Sequence, residues 1–261
     1  MKLHRVYAII LRHFFLLRRS YEHMMHLFYW VSLDLVLWGI TSTYFQNISG
    51  TSQNLVFMII SGVLFWNIVQ RTQLEINIGV LEELWNKNLV NLFVSPLKIK
   101  ELTTALTLMG FVKATISLIV GSIVAFILYK TNISIYSYHI LAFIALLMLT
   151  GVWVGFFISS FLVRFGTRAE IIAWSFVWIL TPFSAVYFPL SALPQWAQFI
   201  AKFIPTSYIF EEARNLLFNG IIDYKALGIS LVLNIILIII MQNFFYYSFK
   251  KVLEKGLVKV Y

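Results

Sequence analysis

The sequence lacks cysteine and is poor in charge. None of its 261 residues is a cysteine, which excludes a disulfide framework, a thiolate metal site and a cysteine nucleophile. Charged residues make up only 12%, against about 25% in an ordinary soluble domain. No glycine is followed by Lys-Ser or Lys-Thr, so the loop that cradles nucleotide phosphates in G-x-x-x-x-G-K-[ST] is missing. The H-E-x-x-H and G-x-S-x-G patterns are missing too, which removes the metalloprotease and hydrolase-elbow readings. Of the five histidines, only His23 and His26 have a spacing that suits a shared metal. With no further ligand nearby in sequence, they read as a surface pair. No metal or cofactor is expected on this chain.

What the chain has in abundance is apolar surface. Hydrophobic residues make up 60%, aromatics 17%, and the mean hydropathy is +0.84. One protein core cannot hide that much, so lipid must solvate it. With no interior water to satisfy the backbone, helices are the expected answer. The reading is an all-α, polytopic membrane protein forming one domain over 1–261. Six stretches have the length of a span: 26–46, 55–78, 103–129, 138–163, 169–188 and 226–249. Residues 1–25 precede them as a basic, aromatic-faced interfacial helix, and 250–261 follow as a basic tail. Arg12, His13, Arg18, Arg19 and Glu22 interrupt the apolar residues of the opening stretch, which has no signal-peptide pattern.

Charge placement orients the spans. With both termini in the cytosol, fifteen Lys and Arg fall inside and four outside (Lys130, Lys202, Arg214, Lys225), and Lys113 lies within a span. That asymmetry satisfies the positive-inside rule. The net charge of +9 then reflects topology and contact with anionic lipid, with no nucleic-acid partner needed. The expected location is a cell membrane, the cytoplasmic membrane of a prokaryote.

Two stretches between spans carry pattern. In "EELWNKNLVNLFVSPLKIKEL", a helix would put Leu81, Trp85, Leu89 and Leu92 on one face and Glu82, Glu83, Asn86, Lys87 and Asn91 on the other. Pro96 would end it after Ser95. This predicts a short cytosolic helix lying on the membrane, with a solvated acidic face. Near the opposite surface, four of the five prolines fall between 182 and 205. Between Pro194 and Pro205, "QWAQFIAKFIP" is too short to cross, which predicts a re-entrant or interfacial helix anchored by aromatics such as Trp196.

The spans also hold a few charges: Asp34, Arg71, Glu75 and Lys113. Counted from the expected span ends, Asp34 and Arg71 lie at equal depth on consecutive helices and are expected to pair, while Lys113 lies deeper. Small residues four apart, Gly151/Gly155 and Ser117/Gly121, suit close helix packing, within the chain or between chains.

Together these features resemble the membrane subunit of an ATP-binding-cassette type-2 exporter. The cytosolic stretch is similar to that family's acidic-then-L-x-x-L-x-x-S-P-L coupling segment at Glu82, Glu83, Leu89, Leu92, Ser95, Pro96 and Leu97. The Pro-rich stretch resembles the family's run before the last span at Pro189, Ser191, Leu193, Pro194, Trp196, Pro205, Thr206, Glu211 or Glu212, and Arg214. The resemblance implies a non-enzymatic permease that exports an amphiphilic, lipid-linked or hydrophobic cargo such as a polysaccharide, drug or lipid. It further implies two copies of a separate ATPase subunit binding ATP and Mg, and a second permease copy. In that reading Glu82, Glu83, Trp85, Leu89, Leu92, Ser95 and Pro96 couple to the ATPase, while Pro189, Pro194, Trp196, Pro205, Glu211 and Arg214 form an outer gate. Two other classes fit less well. A lipid-processing enzyme would want clustered acids at one face, and an ion-coupled transporter would want matching broken helices in both halves.

Overall fold

The computed structural model describes residues 1–19, 21–49, 54–86 and 96–254. They are helical almost throughout, and no strand occurs among them. Among the described residues, nine α-helices follow in order: α1 (Leu3–Arg19), α2 (Tyr21–Ser49), α3 (Asn54–Trp85), α4 (Ile99–Tyr129), α5 (His139–Phe165), α6 (Glu170–Leu180), α7 (Gln195–Ala201), α8 (Pro205–Asn219) and α9 (Tyr224–Glu254).

α3 is the axis of the bundle. It packs against α2, α4, α5 and α6, and α9 packs on α5 from outside. The buried core is built mainly on α3, from Ile60, Leu64, Phe65, Ile68, Val69 and Ile76, with Phe143, Leu147 and Val154 of α5. Close approach needs small residues at the crossings. A Cβ on Gly151 would sit 2.5 Å from Thr72 Cβ, and one on Gly155 would sit 2.9 Å from Ile76 Cδ1. The G-x-x-x-G face of α5 is therefore spent on α3, inside the chain. Outward, α2, α4 and α9 present large apolar side chains such as Leu37, Ile123 and Ile239, as lipid-facing helices do.

Directions follow from the contacts. Asn67 meets Ser117 across α3–α4, and Asn77 meets Ser159 across α3–α5. One end of the bundle gathers α1, the end of α3, the start of α4 and the turn at 164–168. The other holds residues 131–138 and the segment between α6 and α9. α9 starts at the second end and runs back to the first, where Ser248 meets Arg164. Both described chain ends therefore lie at the α1 end.

Four helical stretches among the described residues are long and apolar enough to cross a membrane: Leu55–Trp85, Ile99–Tyr129, His139–Phe183 with its internal turn, and Tyr224–Val252. That is fewer than the six expected. α2 covers the expected first span with 29 residues but is not among the four. The expected fifth span, 169–188, is helical only as α6 plus a 3-10 turn, Thr181–Phe183. Gly166, at φ 64°, turns the chain back after α5, and Pro182 sits at the start of the 3-10 turn where the α-helix ends. The chain then continues as irregular backbone.

Candidate functional site

Three regions carry the chemistry, beginning at the α1 end. The expected separate helix starting near Leu81 is not what forms, because α3 runs unbroken through Glu82 and Glu83 to Trp85. Leu89, Leu92 and Ser95 lie outside the described residues, as do the side chains of His23 and His26. The acidic face is covered rather than solvated. α1 lies across it, placing Arg12 Nη1 2.5 Å from Glu83 Oε1 and His13 Nδ1 3.8 Å from Glu82 Oε2. Glu83 is only 1% exposed, while Trp85 at 47% is open. Sequence periodicity put Glu83 on a solvated polar side, whereas the basic helix 64 or more residues upstream fills that side. Farther along, Arg5 donates to the Pro96 carbonyl and lies 3.5 Å from Glu101. Glu101 also accepts from the backbone N–H groups of Lys2 and Lys98, at 2.7 and 3.0 Å. α1 therefore clamps the end of α3 and the start of α4 together. Burial pushes the His13 imidazole below its ordinary range, against the raising effect of Glu75 and Glu82.

The second region lies within the bundle. The expected Asp34–Arg71 contact is absent: no ion pair joins them among the described residues, although both line one cavity. The buried pair is Glu75–Lys113, with Lys113 Nζ 2.5 Å from Glu75 Oε2. The span ends account for the Glu75–Lys113 contact. α3 ends at Trp85 rather than near 78, and α4 begins at Ile99 rather than 103. Glu75 then lies about 15 Å from the α1 end and Lys113 about 21 Å. The long lysine stem covers the gap by reaching toward that end. Asp34 and Arg71 do share a depth, about 20 Å from their helix starts and ends. They face across an opening instead of touching.

α3 is more polar than a spanning helix needs to be, a feature that apolar averaging concealed. Asn67 Oδ1 accepts from Ser117 at 2.7 Å, Gln73 donates to the Ala173 carbonyl at 3.1 Å, and Asn77 Oδ1 accepts from Ser159 at 3.0 Å. Each bond ties α3 to a different neighbour: α4, α6 and α5. Such interhelical bonds act as glue where apolar packing alone cannot distinguish helix from lipid.

The third region is the Pro-rich segment. Pro194 caps the seven-residue α7, and Pro205 opens α8, positions where a missing N–H costs nothing. Trp196 and Phe199 are exposed at 63% and 62%. Arg214 is the organiser. Its guanidinium donates to the carbonyls of Ala185 and Phe188 at 2.6 and 3.2 Å, and to Glu211 at 2.8 Å. Glu211 in turn accepts from Leu190 N at 2.6 Å. Irregular backbone at membrane depth persists only where protein satisfies it, and Ala185, at φ 55°, is the strained point this fork holds. Pro189 begins the short 3-10 turn Leu190–Ala192 within the same braced stretch. Glu212 caps the backbone N–H of Asp223 at 2.7 Å. Both acids are thus engaged in backbone capping.

Comparison with curated proteins returns no match. The family model for ABC-2 type transporters, in contrast, matches residues 24–218, a stretch that runs from α2 through the cavity helices to the Arg214 brace. The chain belongs to the ABC-2 type transporter family and is a multi-pass membrane permease component.

Proposed function

We infer that this chain is the membrane subunit of an ATP-driven exporter, crossing the membrane six times with both termini in the cytosol. Two such subunits, identical or related, would enclose the pathway. Two ATPase subunits, carrying ATP and Mg, would supply the motion. The observation that carries this reading is the α1 clamp. Salt bridges and backbone bonds join α1 to the adjoining ends of α3 and α4, so a push on that end moves two long helices at once. These 261 residues hold no phosphate loop, and in this reading a separate ATPase subunit supplies the push. The count of six includes α2 and the short α6, whose crossing is completed by the backbone that Arg214 holds. The cargo is amphiphilic or hydrophobic, in keeping with an aromatic content of 17%.

Affinity purification of the tagged chain from its native membrane tests the reading. An ATP-binding-cassette ATPase is expected to co-purify, and the permease stripped of it should hydrolyse no ATP. Hydrolysis by the stripped chain would overturn the reading. Because the chain has no cysteine, Arg168→Cys and Lys130→Cys test the topology directly. An impermeant maleimide added outside should label only the second.

A further inference from the structure

The cavity between α2, α3 and α6 is lined by Trp30 and Asp34 of α2, Gln70 and Arg71 of α3, and Trp174 and Trp178 of α6. Its volume is about 330 Å³, within the range of about 300–1,000 Å³ typical of small-molecule sites. Arg71 is only 7% exposed, and its Nε has no hydrogen-bond partner among the described residues. A buried guanidinium left in this state is costly inside a membrane. Among the described residues, nothing supplies that nitrogen with an acceptor.

We propose that this cavity binds the glycosyl headgroup of an amphiphile, with Arg71 and Asp34 hydrogen-bonding ring hydroxyls and the tryptophans flanking the ring.

Charge balance selects this class. Glu75, one turn from Arg71, is already committed to Lys113 at 2.5 Å. That leaves Arg71 opposite Asp34, a cavity with one charge of each sign and no net preference for an anion. A hydroxyl both donates and accepts, so a polyhydroxylated ring satisfies Arg71 and Asp34 together. A phosphate would satisfy the first and be repelled by the second. Gln73 spends its amide on the Ala173 carbonyl, leaving Gln70 as the adaptable polar contact. Indoles offer broad, rigid, mostly apolar faces at little entropic cost, a suitable match for the C–H face of a sugar. α2 and α6 each pack on α3 but not substantially on one another, and Trp30 and Trp178 are about half exposed. The open side between them lets an alkyl tail stay outside while the headgroup enters.

The site takes its role from the exporter reading, whose cargo class it narrows. The test uses the purified assembly in nanodiscs and three tritiated amphiphiles sharing a dodecyl tail: dodecyl β-glucoside, dodecyl phosphate and a dodecyl ethylene-glycol ether. The glucoside should bind at least tenfold tighter than the other two. Arg71→Gln and Asp34→Asn should each remove at least tenfold of that affinity, and Trp178→Leu, at a half-exposed position, should do so without touching the charges. Tightest binding of the phosphate would overturn the proposal in favour of an anion site. Equal binding of all three would reduce the cavity to an apolar crevice. The wild-type ranking decides even if a charge variant fails to fold. Co-purified ATPase is scored in the same samples, so loss of glucoside selectivity with the ATPase present fails the site alone. Glucoside selectivity with no ATPase fails the exporter reading alone.

Discussion

Glu75–Lys113 and Asp34–Arg71 are, in sequence, the same kind of feature: opposite charges on apolar helices, with Glu75 and Arg71 one turn apart on α3. The structure treats them differently. Glu75 and Lys113 close on one another at 2.5 Å, with both residues at least nine-tenths buried. Asp34 and Arg71 line an open cavity without touching. Equal depth is therefore not enough to make a pair in a membrane. The direction in which each side chain leaves its helix, and how far it reaches, decides whether two charges neutralise each other or stay available. The first pair reads as scaffold and the second as site.

Breaking the scaffold should produce the largest effect. Lys113→Met leaves Glu75 as a lone buried carboxylate, a state that costs roughly 3–5 kcal/mol. Thermal unfolding in detergent, followed by size-exclusion chromatography, should show a large drop. Arg71→Met in the same assay removes a charge that makes no ion pair among the described residues and should lower stability far less, if at all. A fall as steep as that of Lys113→Met would erase the contrast.

Next comes the α1 clamp, which stands to its own end of the bundle as Arg214 stands to the other. Glu83→Lys sets a cation against Arg12 at a buried site and should cost about 1–3 kcal/mol. The loss should be accompanied by release of α1, read as a wider distance between spin labels at Ala8→Cys and Lys100→Cys. An unchanged distance would mean that α1 is held by apolar contact alone. Arg214→Lys should cost roughly 1–2 kcal/mol, since an ammonium cannot reproduce the planar fork to two carbonyls and Glu211. Faster proteolysis within 184–190 would report it.

The smallest effect is expected at His13. It is flanked by Arg12 on its own helix, by Glu82 and Glu75 of α3 and by Lys113 of α4. Burial lowers its folded-state pKa below the ordinary 6.5, so the unfolded or undocked state binds the proton more readily. Docking of α1 is thus at full strength above pH 6.5 and weakens as the pH falls below it. The same label distance should widen on acidification, and His13→Gln should flatten the response.

Much of this was legible in the sequence, and the reasons are physical. Apolar runs located α3, α4, α5 and α9 because burial in lipid demands length and composition. Pro194 and Pro205 bounded the short α7, because proline fixes φ and lacks a donor, whereas the expected span 169–188 ran through Pro182, where α6 gives way to a 3-10 turn. Tertiary placement was not legible. Whether Glu83 faces water or Arg12 depends on where a separate helix docks, and no local period encodes that. The Glu75–Lys113 contact was hidden by span ends that differ by a few residues, Trp85 in place of 78 and Ile99 in place of 103. The polar contacts of Asn67, Gln73 and Asn77 were invisible because isolated amides barely alter the hydropathy of a long helix. The brace at Arg214 was legible only as a conspicuous arginine near Glu211, since its main partners are backbone carbonyls, which carry no sequence signal.

Two double-mutant cycles, run side by side on folded stability, test the contrast between scaffold and site most directly. One combines Glu75→Gln with Lys113→Met, the other Asp34→Asn with Arg71→Gln. The structure predicts a coupling energy of roughly 1–3 kcal/mol at the first pair and nearly additive effects at the second. Coupling at Asp34–Arg71 equal to or above that at Glu75–Lys113 would contradict it, making the cavity charges a structural pair and leaving no reserved site between α2, α3 and α6.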